Sequence, residues 1–241
     1  MTQSQSAPVA IITGAGRGIG RATAQELAGL GYRLCLAARD TGSLDETAAL
    51  VSGGPDTCLA VGTDVTDPDQ VDRLVRAALE RFGRIDAVVN NAGLAPIRTI
   101  PEMSVAEWRA VIETNLSAAF YLCRAAWPTF EKQRSGVVVN VSSASARDPF
   151  PGFAAYGAAK AGLNLFGLSA AREGERIGVR VHTVAPSATE TAMFRSLPGA
   201  SDYPADKTLA PAEVARIIGR CVTGDLRYTS GEVIYVHKTM A

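Results

Sequence analysis

Tyr156 and Lys160 stand four residues apart in the stretch AAYGAAKAGLNLF, which is otherwise mostly alanine, glycine and large apolar side chains. On a helix, positions i and i+4 share a face, so a phenol and an ammonium would lie side by side. A free phenol ionises with a pKa of about 10, a poor acid–base group at neutral pH. A nearby ammonium favours the phenolate and brings that value toward the range a general acid–base catalyst needs. A polar helix edge produces the same spacing, so the pair needs partners before it means chemistry. Lysine is scarce in this chain, occurring only at Lys132, Lys160, Lys207 and Lys238. Upstream, VNVSSAS offers Ser142, Ser143 and Ser145, and a strand would turn adjacent ones to opposite faces.

A second stretch with chemical potential is VAIITGAGRGIGRATAQELAGLG, which reads as a strand, a tight glycine turn and a helix. Its pattern is TGxxxGxG, carried by Thr13, Gly14, Gly18 and Gly20, with Gly16 between them. It is not a P-loop, because no lysine follows the glycines. Such a turn lets the backbone approach a pyrophosphate and presents it to a helix N-terminus. The loop residues Gly14, Gly16, Arg17, Gly18, Ile19 and Gly20 are therefore expected to bind a dinucleotide. The following strand, RLCLAARD, ends near Ala37 and Ala38, so alanine holds the position where an acid would bind both ribose hydroxyls of NAD. Arg39 follows at once, and Arg17 projects from the glycine loop. Two guanidiniums can clamp a 2′-phosphate, which favours NADP(H) over NAD(H). Asp40 argues the other way if the strand register shifts by one residue.

The elements that must position these groups alternate regularly. Strand-like runs cover Val9–Thr13, Arg33–Ala38, Cys58–Gly62, Ala87–Asn90, Val137–Val141, Val179–Val184 and Glu232–Val236. Amphipathic stretches lie between them. In DPDQVDRLVRAALERFG, Val71, Leu74, Val75, Ala78 and Leu79 fall on one face, with Asp67 as cap and Pro68 at the first position. Continuous apolar strands alternating with helices predict an α/β fold, a single doubly wound Rossmann domain over residues 1–241. About seven parallel strands would carry helices on both faces. The irregular segment 186–210 is the expected substrate loop or lid.

Lys and Arg together balance Asp and Glu at 24 each, so no global charge calls for nucleic acid or an anionic membrane surface. The four cysteines are scattered without a CxxC, and Cys35, Cys58 and Cys221 sit in apolar runs, which fits a reducing compartment. The N-terminal MTQSQSAP has no signal-peptide pattern, and no apolar run reaches the ~18–20 residues of a membrane span. A cytoplasmic location is the expectation. His182 and His237 lack ligand spacing, so no metal is expected, and His182 reads as a structural strand residue.

Together, TGAGRGIG (13–20), DVT (64–66), NNAG (90–93), Asn115, VNVSS (139–143), YGAAK (156–160) and APSATET (185–191) resemble the short-chain dehydrogenases/reductases. The likeness covers almost the whole chain. It implies that Asp64 and the Val65 backbone contact adenine, and that Asn90, Asn91, Ala92 and Gly93 support the cofactor, with Asn90 near its ribose. The segment after Pro186 would clamp the nicotinamide carboxamide through the Thr189 main chain and the Thr191 hydroxyl. The family's Ser–Tyr spacing selects Ser143 as the hydroxyl that holds the substrate oxygen. Tyr156 would exchange the proton, while Lys160 lowers the phenol pKa and binds the nicotinamide ribose. Asn115, mid-helix, would link to the lysine through water in a proton relay to solvent.

The function this implies is NADP(H)-dependent hydride transfer between nicotinamide and a small-molecule carbonyl or secondary alcohol. The alternatives are a 3-oxoacyl-thioester reductase, for which Arg98, Arg109 and Arg147 are too dispersed to decide, and an NADP(H)-sensing regulator without turnover. Substrate walls are expected from Leu94, Ala95, Pro96, Phe150, Phe153, Met193 and Phe194, with Arg147 and Asp148 facing substrate or solvent. Two features depart from the family pattern: Ser187 stands where glycine usually follows the proline, and the chain ends EVIYVHKTMA without an acidic-Gly-Gly tail. Family members commonly form homodimers and homotetramers, through the Asn115 helix, the Tyr156 helix and the last strand.

Overall fold

β1 (Val9–Thr13) is buried along its whole length, as a strand of mostly apolar residues must be when helices cover both faces. The computed structural model describes residues 7–51, 53–54 and 56–238. Around β1 the chain sets β2 (Arg33–Ala38), β3 (Cys58–Gly62), β4 (Ala87–Asn90), β5 (Gly136–Val141), β6 (Val179–Pro186) and β7 (Val233–Val236). All pair in parallel, in the order β3-β2-β1-β4-β5-β6-β7. The order reverses between β1 and β4, and such a switch point opens a crevice at the carboxyl ends of the strands.

The helices are α1 (Gly18–Gly29), α2 (Thr41–Val51), α3 (Pro68–Phe82), α4 (Val105–Ile112), α5 (Ala118–Gln133), α6 (Ala154–Gly174), α7 (Ala192–Arg195) and α8 (Pro211–Thr223). Asp67 caps α3 by accepting from the Asp69 and Gln70 amides at 2.9 and 3.2 Å, Pro68 opens the helix, and Gly83 closes it at φ 76°. One apolar layer packs α3, α5 and α6 on the sheet through Leu74, Leu122, Phe130 and Val138. The other packs α1, α2 and α8 through Leu27, Leu44, Val139 and Ile218. This is the expected single Rossmann-like domain.

The strands differ from expectation only at their ends. β5 starts one residue earlier at Gly136, where a Cβ would strike the Phe130 ring. β6 runs on through Ala185 and Pro186, because these pair with Tyr235 and Val236 of β7. Proline is tolerated there at the strand end, where the ladder needs no further donor. His182 is fully buried in β6, its Nδ1 3.1 Å from the Thr229 hydroxyl, and burial lowers its pKa to about 4. Cys35 and Cys221 are buried, Cys58 partly so, and all are free thiols. No helix among the described residues is long and apolar enough to cross a membrane.

Candidate active site

The carboxyl ends of the strands open on a cleft of about 1130 Å³. One end is built by the glycine turn. Gly14 and Gly18 adopt φ of 63° and 55°, left-handed backbone that a side chain would strain. Arg21 holds the turn from behind, donating from Nη2 to Gly16 O at 2.6 Å and to Glu46 at 2.8 Å. Gly16, Arg17, Gly18 and Ile19 line the cleft with Gly14. Gly20 does not: it faces the Gly14 carbonyl, which a Cβ would strike, so its part is close packing of α1 on the turn.

β2 ends at Ala38, and Arg39, Asp40 and Ser43 come next on the cleft wall. Asp40 Oδ1 accepts from the Gly42 amide at 3.1 Å, a capping contact at the start of α2. The guanidiniums of Arg17 and Arg39 make no hydrogen bond or ion pair with the described residues. Asp64 accepts from the Thr66 amide and hydroxyl at 3.0 and 2.8 Å, which fixes the turn after β3, and Asp64 and Val65 line the cleft.

The NNAG segment divides. Asn91, Ala92 and Gly93 line the cleft. Thr13 Oγ1 accepts from the Asn91 and Ala92 amides at 3.0 and 3.1 Å, and Asn91 Nδ2 donates back to Thr13 O at 2.8 Å. Asn90, expected near the ribose, does not turn its side chain to the cleft. It is buried in the sheet, and its Nδ2 donates to Asn140 Oδ1 at 2.9 Å. Alternation along β4 turns it toward α5 and away from the cleft.

Asn115 lies in a π-helical turn, Glu113–Ser117, between α4 and α5 rather than within a regular helix. Such turns replace the i→i−4 pattern with a wider one and free backbone carbonyls for other partners. Asn115 is 2% exposed; its Nδ2 donates to Leu94 O at 2.7 Å and Val111 O at 2.9 Å, and its Oδ1 accepts from the Leu94 amide at 3.3 Å. It thereby pins the chain leaving NNAG. A Cβ on Gly93 would stand 3.0 Å from Asn115 Oδ1 and 3.9 Å from Lys160 Nζ, so both side chains face that glycine.

At the other end, β5 runs into Ser143 and α6 presents Tyr156 and Lys160 on the cleft. Ser143 Oγ accepts from the Ser145 amide at 3.1 Å, and its hydroxyl is the neighbour that favours the Tyr156 phenolate. Ser142 also lines the cleft, but its hydroxyl is spent on Asn164 Oδ1 at 2.6 Å, and Ser145 is buried. Lys160 is 3% exposed, and its Nζ donates to Val141 O at 2.8 Å. Burial raises the Tyr156 pKa, and the Ser143 hydroxyl opposes that rise. Lys160 itself is pushed down to about 7 by desolvation, which weakens its charge at neutral pH.

Pro186, Thr189 and Thr191 line the cleft above this group. Thr189 Oγ1 donates to Ser187 O at 2.9 Å, and Thr191 Oγ1 caps α7 by accepting from the Phe194 amide at 3.1 Å. Segment 186–210 closes on itself through a Thr189–Leu209 bridge. Arg195 ties it together, donating to both Glu190 oxygens at 2.7 and 2.6 Å and to the Ala200 and Tyr203 carbonyls. Of the expected walls, Ala95, Phe150, Phe153, Met193 and Phe194 line the cleft; Ile97 lines it in place of Leu94 and Pro96. Arg147 and Asp148 face it, whereas Arg98 is paired with Glu107 at 3.1 Å.

Sequence reasoning missed Thr13 as the clasp between β1 and NNAG, and Tyr235 and His237 as cleft residues. TG before a turn is a usable signal for the first. The second needs the β6–β7 pairing, which joins residues about fifty apart in sequence.

The arrangement fits a dinucleotide. A glycine cradle opens a helix, the unpaired guanidinium of Arg17 stands on that turn and that of Arg39 just beyond β2, and the Tyr156 phenol and Lys160 amine close the far end. A family profile described as short chain dehydrogenase matches residues 8–201. The chain is 37% identical over 193 residues to a 3-oxoacyl-[acyl-carrier-protein] reductase of Synechocystis sp., covering 80% of this chain and 78% of that one. It is 34% identical over 239 residues to the 3-oxoacyl-[acyl-carrier-protein] reductase FabG of Escherichia coli, covering 96% of each. The crystal structure of levodione reductase superposes with a TM-score of 0.89 at 30% identity, covering 96% of each chain.

Proposed function

Because this chain belongs to the short-chain dehydrogenase/reductase family and is an oxidoreductase of that family, we propose that it interconverts a small-molecule carbonyl and its alcohol with NADP(H). The observation that carries the reading is the convergence of Ser143, Tyr156 and Lys160 at one end of a cleft whose other end is a glycine cradle. The bound nicotinamide would supply the hydride to the carbonyl carbon, or take it in the reverse direction. The glycine turn, Asp64, Val65, Asn91–Gly93, Pro186, Thr189 and Thr191 would hold the dinucleotide.

The protein's share of the reaction is position and proton transfer. Ser143 Oγ holds the substrate oxygen and Tyr156 Oη gives that oxygen its proton, so the product leaves as the alcohol. Ser143 then hydrogen-bonds the phenolate left behind. Lys160, fixed to Val141 O, adds charge near the ring and binds the nicotinamide ribose. Asn115 stands across Gly93 from Lys160, which supports a relay that returns a proton from solvent to Tyr156. NADP(H) is favoured because Arg17 and Arg39 are unpaired at the cleft while the Asp40 carboxylate is engaged by Gly42.

Relatives named for 3-oxoacyl-[acyl-carrier-protein] reduction support acyl thioesters as one substrate class to test. An NADP(H) sensor would need none of Ser143, Tyr156 and Lys160. Exposed Trp108, Phe120 and Leu165 on α4, α5 and α6 support self-association through that face. An NADPH-oxidation screen across ketones, cyclic diones, sugars and 3-oxoacyl thioesters tests the reading. Turnover of at least one carbonyl class is expected; cofactor binding with no turnover across the panel would favour the sensor.

A further inference from the structure

The chain's departure at its C-terminal end has a place in the cleft. β7 lies beside the Pro186 end of β6, and Tyr235 and His237 reach the cleft wall there, their rings stacked at 6.2 Å and 10°. Arg147, four residues beyond Ser143, lays its guanidinium over Tyr235 at 5.8 Å from the ring centre. Arg147 is exposed and makes no side-chain hydrogen bond or ion pair with any described residue. Only Arg17, Arg39 and Arg147 among the arginines line the cleft, and the first two belong to its glycine-loop end.

We propose that Arg147, carried on the Tyr235–His237 stack, is an anion subsite that selects carbonyl substrates bearing a carboxylate. An arginine held on an aromatic face keeps its fork of donors free for a carboxylate in bidentate geometry. Phe150 and Phe194 also line the cleft and suit an aliphatic or aromatic body between the carbonyl and the anion. Asp148, the next residue, also faces the cleft without an ion pair. Its repulsion doubles for a dianion, which favours a monoanionic carboxylate over a phosphate. This subsite rests on the carbonyl–alcohol reading for its biological meaning, not for its detection.

Calorimetric titration of the NADPH-loaded protein with hexanoate and hexanamide tests it without requiring turnover. Hexanoate should bind about tenfold tighter than hexanamide, as a charge-assisted pair at a partly exposed site allows. Arg147→Gln should bring the ratio near unity, Arg147→Lys should retain part of it, and Asp148→Asn should raise it. Equal binding of the two ligands, no detectable hexanoate binding, or an equal loss of both in Arg147→Gln would overturn the subsite. A preserved acid preference in a protein that reduces no carbonyl would overturn the carbonyl–alcohol reading and leave the subsite standing.

Discussion

Lys160 Nζ lies 5.6 Å from the centre of the Tyr156 ring and spends a hydrogen bond of 2.8 Å on the Val141 carbonyl. The ammonium is thus held beside the phenol by backbone, in a site so dry that its own pKa falls to about 7. Function and stability pull against each other at this residue.

Lys160→Met should therefore stabilise the cofactor-free protein while removing turnover. A fall from 10.5 to about 7 corresponds to about 5 kcal/mol of disfavoured burial. Leaving the Val141 carbonyl unpaired returns ~1–3 kcal/mol, so a net gain of about 2 kcal/mol is expected at pH 7. The folded pKa lies below the unfolded one, so the wild-type penalty is complete below pH 7 and fades toward pH 10.5. Urea unfolding of both proteins across that range should show the gap closing as pH rises; a constant gap would rule out this origin.

Arg39→Ala should raise the KM for NADPH by tenfold or more and change that for NADH little, since only the 2′-phosphate would meet the guanidinium. Steady-state kinetics with both cofactors decide it. Equal effects on the two would remove Arg39 from cofactor selection.

Arg195 organises the loop over the cleft through Glu190, Ala200 and Tyr203, and Phe194 packs edge-on against Tyr203 at 5.7 Å. Arg195→Ala should raise the KM for the carbonyl about tenfold with a smaller change in kcat, because a wall of the substrate site loosens while Ser143 and Tyr156 stay in place. Arg195→Lys should recover only part, since it cannot bridge both Glu190 oxygens. An unchanged KM would show that the loop holds its shape without this residue.

His182 is fully buried, its Nε2 has no partner among the described residues, and burial lowers its pKa from 6.5 to about 4. The unfolded chain binds this proton more readily, so stability falls as pH drops from about 6.5 to about 4. The loss should be of the order of 3 kcal/mol. Thermal melts of wild type and His182→Gln over that interval check it: the variant should lose less stability on acidification than the wild type.

Much of this was legible in the sequence, for identifiable reasons. Buried parallel strands announce themselves as apolar runs, so β1 to β4 fell where expected, and Asp67-Pro68 marked a helix start through local chemistry alone. The glycine turn and the Tyr156–Lys160 pair were readable because each depends on spacing within one element. What escaped depended on packing between elements. Nothing in NNAG says that Asn90 turns inward to Asn140 while its neighbours face the cleft. The helical pattern around Asn115 hides a π turn. The direction of the Tyr156 shift required knowing that burial outweighs the Ser143 hydrogen bond. Tyr235 and His237 entered the site only through strand pairing.

The most direct test of the central claim is Tyr156→Phe, assayed for NADPH binding by fluorescence titration and for carbonyl reduction on any substrate the wild type accepts. The ring that Lys160 faces is retained and only the proton-bearing oxygen is lost. NADPH affinity within about twofold of wild type, with turnover reduced by ~10³-fold or more, is the predicted result. Turnover within tenfold of wild type would contradict the assignment of Tyr156 as the proton donor.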